Sequence, residues 1–307
     1  MELSIIIPTY NRGEVYRQTI EAATAAIADL DAEIIVVNDY KKGNPEIPAH
    51  PRVRMVNNPK SGVASARNLG ASLAMGQLLI FLDDDVLVTA ANLQRSLDLF
   101  HQHPGWCVNP NWVYPSDLQH RMDQSAFGRY LRYYQFDSLQ GWRKGMFWDD
   151  RQVFKVDAGA SYYLAMPKNI FTATGGYDER FPFSGAEDFE FMERLKQRGI
   201  DMMIDPLTLV FHNESDRFDM MQFMARKERN GETRKLAADM GYSQMSITYT
   251  PVKQLIYGML ALWPEFPALL LKLLPNSKAF DQVSRKLIDV MHATYLFRGY
   301  NKKKSSN

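Results

Sequence analysis

The sequence predicts an α/β fold in which a parallel sheet is covered by helices on both faces. Three short apolar runs support this prediction, namely LSIII at residues 3–7, EIIVV at 33–37 and LLIFL at 78–82. A strand that is buried on both faces shows a continuous apolar run rather than an alternating pattern. Helical patterns separate the three runs, and such alternation is typical of a doubly wound sheet.

The other predicted elements follow in chain order, and Gly199 marks the end of the third helix. They are a helix over 12–30, a helix over 63–75, two strands within 153–166, a loop over 172–183, a helix over 187–198 and a strand over 203–211. Residues 106–156 are rich in aromatic side chains and give no clear period. Helical segments dominate after residue 217, so we expect one domain over 1–215 and a helical extension over 216–307.

Composition limits the classes of protein that need to be considered. Of the 307 residues, 46% are hydrophobic and 23% are charged, which excludes a wholly disordered chain. The formal net charge of +1 gives no electrostatic reason to expect nucleic acid as a partner. Cys107 is the only cysteine, which excludes an intrachain disulfide and a cysteine-based zinc site.

Polar and aromatic residues follow each of the three apolar runs. Ligands of doubly wound sheets bind beyond the carboxyl ends of the strands, so residues 8–11, 38–40 and the triplet Asp83-Asp84-Asp85 are expected to form a site. The three carboxylates would repel one another, and a divalent cation relieves that repulsion. On an extended chain, Asp83 and Asp85 would point one way and Asp84 the other. A solvated acidic turn that caps the next helix is the alternative interpretation.

Five segments, in this order, resemble the motifs of glycosyltransferase family 2. They are SIIIPTYNR at 4–12, VVNDY at 36–40, GVASARNLG at 62–70, FLDDDV at 81–86, and GGYDERF and GAEDFEFMERLKQRG within 175–199. The resemblance covers roughly residues 3–215 and implies the GT-A fold, a Rossmann-like mixed sheet flanked by helices. It also implies transfer of a sugar from a nucleotide diphosphate with inversion, with Mn²⁺ or Mg²⁺ as the cofactor.

The resemblance implies a nucleotide site after the first strands. The residues that match it are Pro8, Thr9, Tyr10, Arg12, Asp39, Arg67, Asp83 and Asp84. Tyr10 would stack on the base, with ordinary packing as the alternative. Asp39 would accept the N–H of uracil, although Asn38 stands where the family has a first acidic residue. Arg67 would pair with phosphate or hold a neighbouring aspartate, with a surface salt bridge as the alternative.

The resemblance also implies a metal site and a catalytic base. Asp85 matches the metal ligand of the D-x-D motif, and His212 is a second candidate ligand, with a structural histidine as the alternative. Asp188 matches the base that takes the proton of the acceptor hydroxyl, although Glu187 and Asp188 would also suit a helix N-terminus. The candidate contacts to the donor or acceptor sugar are Asp157, Gly159, Ala160, Glu187 and Trp148.

The resemblance and the residues that match it together imply a metal-dependent, inverting glycosyltransferase in the cytoplasm, with a UDP-sugar donor and a glycan or lipid-linked acceptor. A nucleotidyltransferase and a catalytically idle sugar-nucleotide-binding protein are the alternatives. Residues 255–274 are apolar but contain two prolines, one Glu and one Lys, which argues against a spanning helix. With Trp263 and basic neighbours they predict peripheral contact with the inner face of a membrane. A helical subdomain or a contact between subunits is the alternative.

Overall fold

A computed structural model of the chain describes residues 1–181 and 183–302. The described residues form a mixed sheet of nine strands, flanked by helices, and a helical C-terminal region. The strands are β1 Leu3–Thr9, β2 Ala32–Asn38, β3 Val53–Asn57, β4 Leu78–Leu82, β5 Val86–Leu87, β6 Trp106–Val113, β7 Phe154–Val156, β8 Tyr163–Pro167 and β9 Asp201–His212. The α-helices are α1 Glu14–Ala26, α2 Val63–Leu73, α3 Ala90–Gln102, α4 Ser116–Met122, α5 Ala126–Tyr133, α6 Leu139–Trp142, α7 Lys168–Thr174, α8 Ala186–Gln197, α9 Met220–Asp239, α10 Pro251–Leu260, α11 Phe266–Leu273 and α12 Asp281–Asn301.

The sheet is parallel on one side and mixed on the other. Its strand order is β3-β2-β1-β4-β8-β6-β9-β5, and β7 pairs with β9. Strands β3, β2, β1 and β4 are parallel, whereas β8 runs antiparallel to both β4 and β6. The parallel sheet expected from the first three runs is therefore only one part of a mixed sheet. The carboxyl ends of β1, β2 and β4 lie at the same edge.

The three apolar runs form β1, β2 and β4, as predicted. Every residue of these strands is buried, because helices cover both faces. Helix α2 lies close to β1 at Gly70, where a Cβ would lie 2.4 Å from the side chain of Ile6. The glycine allows this approach, since a side chain there would displace the strand or the helix.

Several elements differ from the sequence-based expectations. Helix α1 occupies a shorter range than 12–30, and α7 replaces the start of the loop expected over 172–183. Strands β3, β5 and β6 and helix α3 were not predicted. Most of β3 is only partly buried, and β6 contains two asparagines and a proline, so neither shows the continuous apolar run of a central strand.

The chain divides into two compact units. The first contains residues 1–115, 138–182 and 187–214, and the second contains 116–137, 183–186 and 215–307. The units differ from the expected ranges because residues 116–137 and 183–186 group with the C-terminal helices. Among the described helices, none is both long enough and apolar enough to cross a bilayer.

Candidate active site

The aspartate triplet follows β4 in a tight turn. The N–H of Val86 donates to the carbonyl of Asp83 at 3.2 Å, so the chain reverses here instead of extending. Asp84 and Asp85 both contact Arg12, whereas Asp83 contacts Arg67. The expected alternation of these side chains is therefore wrong, because it applies only to an extended chain.

Arg12 binds two carboxylates of the triplet from the loop after β1. Its guanidinium donates to Asp84 Oδ1 and to Asp85 Oδ2, both at 2.7 Å, and its side chain is 4% exposed. The hydroxyl of Thr9, the last residue of β1, donates to Asp84 Oδ2 at 2.7 Å. Burial raises the pKa of Asp84, and Arg12 opposes that shift. Asn11 has a φ of 48°, a left-handed conformation that asparagine tolerates better than most residues.

Asp85, His212 and Glu214 form a candidate metal centre. Their ligand atoms lie within 4.8 Å of one another, and His212 Nε2 is 3.2 Å from Asp85 Oδ1. The pairing of β5 with β9 brings His212 opposite Val86 and thereby next to the triplet. The hydroxyl of Tyr114 donates to Glu214 Oε2 at 2.6 Å and fixes that carboxylate. Glu214 was not predicted, although the spacing His-x-Glu at the end of a strand would have indicated it.

The chemistry of these three side chains fits a divalent cation. Carboxylate and imidazole donors suit Mn²⁺, and the oxygens also suit Mg²⁺. Burial lowers the pKa of His212, but the charge of Asp85 outweighs it and the pKa rises to about 9. Within the described chain, His212 Nδ1 is buried without a hydrogen-bond partner. A protonated His212 therefore supplies positive charge where a metal would otherwise supply it.

Arg67 binds three carboxylates from a buried position on α2. Its guanidinium lies 2.9 Å from Asp83, 3.2 Å from Glu187 and 3.4 Å from Asp188, and its side chain is 3% exposed. The alternative of a surface arginine is therefore wrong. The pKa of Asp83 is raised to about 6, mainly by burial. The positive charge of Arg67 lowers this pKa, but the negative charges of Asp85 and Asp188 raise it further.

Asp188 lies in the first turn of α8 and is held by several donors. It accepts the N–H of Ser161 at 3.3 Å and also the hydroxyl of Ser161, which in turn lies 2.6 Å from the hydroxyl of Tyr177. The side chain of Asp188 is 24% exposed, whereas that of Glu187 is 1% exposed. Asp188 is thus the carboxylate that a substrate can reach, and the burial of Glu187 argues against the sugar contact expected for it. Neither Ser161 nor Tyr177 was among the predicted site residues, although Tyr177 lies within the segment GGYDERF.

Asp39 organises the start of α2. Its carboxylate accepts the amide of Asn58 at 2.8 Å and the N–H of Gly62 at 2.9 Å. Gly62 has a φ of 106°, a conformation that favours glycine. Nearby, Tyr10 is 61% exposed and its ring packs edge-on against that of Tyr40, with 5.5 Å between the centroids.

The remaining predicted residues differ in burial and in the contacts that they make. Pro8 is a buried residue of β1. Asp157 is exposed and lies 3.5 Å from the ammonium of Lys196. The main chain of Ala160, next to Gly159, forms two hydrogen bonds with the side chain of Asn109 on β6. The indole of Trp148 donates to Asp150 at 2.7 Å.

Comparisons with known proteins identify similar sequences and similar folds. The sequence model described as "Glycosyl transferase family 2" matches residues 4–159, about half of the chain. An uncharacterized glycosyltransferase of Haemophilus influenzae is 26% identical over 199 residues, which are 64% of this chain and 62% of that protein. The chain spans less than two thirds of the length of the first curated relatives that it matches.

Two solved glycosyltransferases share the GT-A fold of this chain. A mannosyltransferase of Pyrobaculum calidifontis, in complex with GDP-Man and Mn²⁺, aligns over 98% of this chain and 88% of its own, with 14% identity and a TM-score of 0.59. The structure of GalNAc-T7 with UDP, GalNAc and Mn²⁺ aligns over 69% of this chain and 43% of its own, with 17% identity and a TM-score of 0.50. At these identities the likeness concerns the fold.

Proposed function

The chain belongs to glycosyltransferase family 2, and we propose that this glycosyltransferase moves a sugar from a UDP-sugar to an acceptor hydroxyl in one inverting step. One observation carries the proposal. The buried guanidinium of Arg67 contacts Asp83 of the triplet and Asp188 of α8 at the same time, at 2.9 and 3.4 Å. A single displacement needs charge stabilisation at the leaving group and a base near the attacking oxygen, and Arg67 connects residues suited to both.

Asp188 is the proposed base. Its carboxylate is partly exposed, and the hydrogen bonds from Ser161 fix its orientation. A fixed orientation matters because a base must lie within hydrogen-bond distance of the proton that it removes. Arg67 and Ser161 act as positioning residues for this carboxylate.

Asp85, His212 and Glu214 would hold Mn²⁺ or Mg²⁺. Such an ion supplies Lewis-acid stabilisation of the departing diphosphate. The two solved relatives contain Mn²⁺, which supports the choice of cation. Within this chain, His212 would have to lose its proton to become a ligand, since a protonated imidazole nitrogen cannot bind a metal.

The loops after β1 and β2 are the proposed nucleotide site. Tyr10 presents an exposed ring beside Tyr40, and an exposed aromatic face suits stacking on a base. Asp39 keeps acceptor capacity beyond its bonds to Asn58 and Gly62, because an ionised carboxylate accepts about four hydrogen bonds. We propose uracil as the base, which GalNAc-T7 with UDP supports; the mannosyltransferase with GDP-Man makes guanine the competing base to test.

For the sugars, we propose contacts at the segment Asp157 to Ala160 and at Trp148. The exposed carboxylate of Asp157 is open to a sugar hydroxyl, and Asn109 fixes the adjoining main chain. We propose a glycan or a lipid-linked glycan as the acceptor and the cytoplasm as the location.

The proposed sugar transfer is tested by measuring release of the nucleoside diphosphate from a panel of UDP-, dTDP- and GDP-sugars with Mn²⁺. For Asp188→Asn we expect acceptor-dependent turnover to fall by about 10²–10⁴-fold, while nucleotide affinity stays near wild type. Asp98→Asn is the matched control, because Asp98 is partly buried on α3 and accepts a hydrogen bond from Gln94 in the same helix.

Three outcomes would contradict parts of the proposal. Full turnover by Asp188→Asn would remove this residue as the base. Release of pyrophosphate from a nucleoside triphosphate would indicate a nucleotidyltransferase. Tight nucleotide binding with no turnover for any acceptor would indicate an idle binding protein.

A further inference from the structure

Helices α10 and α11 expose an unusual concentration of apolar side chains. Eleven of the 26 large hydrophobic side chains that are exposed in the described residues lie between positions 252 and 280. They are Val252, Leu255, Ile256, Met259, Leu262, Trp263, Phe266, Leu269, Leu270, Leu273 and Phe280, and we call them the apolar surface. Isolated exposed hydrophobic residues are ordinary, whereas a concentration of them marks an interaction site.

The spacing places these side chains on one face of each helix. In α10 they occur at 252, 255, 256 and 259, and in α11 at 266, 269, 270 and 273. Both sets follow the i, i+3, i+4, i+7 pattern of a single helical stripe. The most exposed members, Leu262 at 87% and Leu273 at 80%, lie in the connection and at the end of α11.

The opposite faces of these helices are occupied by other parts of the second unit. Ala268 of α11 is buried, and Tyr257 of α10 contacts the ring of Phe297 on α12. The hydroxyl of Tyr295 on α12 donates to Glu265 at 3.3 Å. The helices are therefore held in place on one side while the apolar surface remains exposed on the other.

The charges around the apolar surface are mostly positive. Lys253, Lys272 and Lys278 are exposed there, and Glu265 is the only acidic residue between positions 250 and 280. Trp263 is 55% exposed beside Phe266, and tryptophan favours the boundary between lipid headgroups and acyl chains. A second copy of the same surface would place lysines near lysines in a two-fold contact, whereas anionic lipids would neutralise them.

We propose that the apolar surface inserts into the interfacial layer of an anionic lipid bilayer. Helix α10 has 10 residues and α11 has 8, so at about 1.5 Å per residue each is far shorter than the roughly 30 Å hydrocarbon core. The helices lie in the plane of the membrane surface, with the apolar stripes in the acyl boundary and the lysines at the phosphates.

Flotation of the full chain with vesicles tests the proposal. We expect partitioning onto phosphatidylcholine vesicles with 30% phosphatidylglycerol to exceed that onto pure phosphatidylcholine by about tenfold or more, and to weaken in 0.5 M salt. Leu262→Asp with Leu273→Asp should abolish binding to both vesicle types. Lys253→Gln, Lys272→Gln and Lys278→Gln together should remove only the preference for the anionic vesicles.

A matched control places the same charges elsewhere. Leu207→Asp with Met146→Asp changes two side chains in the first unit that are 59% and 63% exposed, and it should float like wild type. Folding of each variant is checked by circular dichroism. Equal flotation of wild type and Leu262→Asp/Leu273→Asp would overturn the proposal. A wild-type dimer in light scattering that this variant dissociates, with no vesicle binding, would instead identify a contact between copies.

Discussion

Two buried arginines neutralise the same aspartate triplet in different ways. Arg12 contacts Asp84 and Asp85, and the imidazole of His212 lies against the second of these carboxylates. Arg67 contacts Asp83 together with two carboxylates from α8. With Glu214 included, the cluster around Arg12 has two cationic groups for three carboxylates, while the cluster around Arg67 has one guanidinium for three.

The difference separates an exchangeable charge from a fixed one. The pKa of His212 is about 9, so its proton can still be displaced, and the charge next to Asp85 can be replaced by a metal ion. Arg67 remains charged at every accessible pH, because a guanidinium does not lose its proton in proteins. The first cluster is thus suited to binding a cation, and the second to holding Asp188 in place.

Replacing each arginine should change the free energy of unfolding, and this is the largest effect that the comparison predicts. Arg67→Met should lower the free energy of unfolding by about 3–5 kcal/mol, because three carboxylates lose their shared buried partner. Arg12→Met should cost less, since His212 stays beside Asp85. Urea unfolding at pH 7.5 with chelator measures both.

The pH dependence of this loss checks its cause. Protonation removes the charge that Arg67 balances, and Asp83 already has a pKa of about 6 with the arginine present. The cost of Arg67→Met should therefore be smaller at pH 5 than at pH 8. A cost that is equal at both values would mean that lost packing, rather than unpaired charge, explains the instability.

Metal affinity tests whether Asp85, in the cluster around Arg12, binds the ion while Asp83, in the cluster around Arg67, does not. Mutation of a residue that supports a metal ligand typically lowers metal affinity by about 10–100-fold. Asp85→Asn changes a proposed ligand itself, so we expect it to lower the affinity for Mn²⁺ by at least as much. Asp83→Asn is the matched control, because it changes the neighbouring carboxylate that faces Arg67. Calorimetric titration of Mn²⁺ measures both, and equal losses would show that the triplet binds the ion as one group.

Several of the residues that the structure brings together here were predicted from the sequence, but the contacts between them were not. Asp83, Asp85 and Asp188 come from recognisable segments, and the burial of β4 places the triplet at the sheet edge. The partners of these residues were harder to predict. Arg67 lies on α2, which packs closely on β1 at Gly70, and no pattern in its segment indicates that its side chain is buried.

The missed parts of the fold and of the site have two physical reasons. Strand β3 lies at an edge of the sheet, so most of it is only partly buried and it lacks a strong apolar pattern. Glu214 belongs to the candidate metal centre only because β9 pairs with β5, a contact between residues more than a hundred positions apart. Pairings of this kind depend on the whole sheet. The His-x-Glu spacing at the end of β9 indicates a pair of ligands, but it does not show that Asp85 lies beside them.

The smallest expected effect concerns two buried histidines, His212 and His292, whose pKa values shift in opposite directions. Burial lowers the pKa of both, yet Asp85 raises that of His212 to about 9, whereas Lys227 adds to the lowering for His292, whose pKa is about 4. The stabilisation from His212 is complete below the ordinary pKa of 6.5 and is lost as the pH rises to about 9. The stabilisation from neutral His292 is complete above 6.5 and is lost as the pH falls toward 4.

We therefore expect His212→Asn to remove a slope of at most about 1.4 kcal/mol per pH unit between pH 7 and 9 in the metal-free protein. His292→Asn should change the slope only below pH 6.5. Asp83 opposes the effect of His292 there, because its raised pKa makes the folded state less stable as the pH rises from 3.8 to about 6. Differences between each variant and wild type, measured by urea unfolding in chelator, separate these contributions. If His212→Asn keeps the wild-type slope, no proton balances Asp85, and the two arginine clusters do not differ in the exchangeability of their charge.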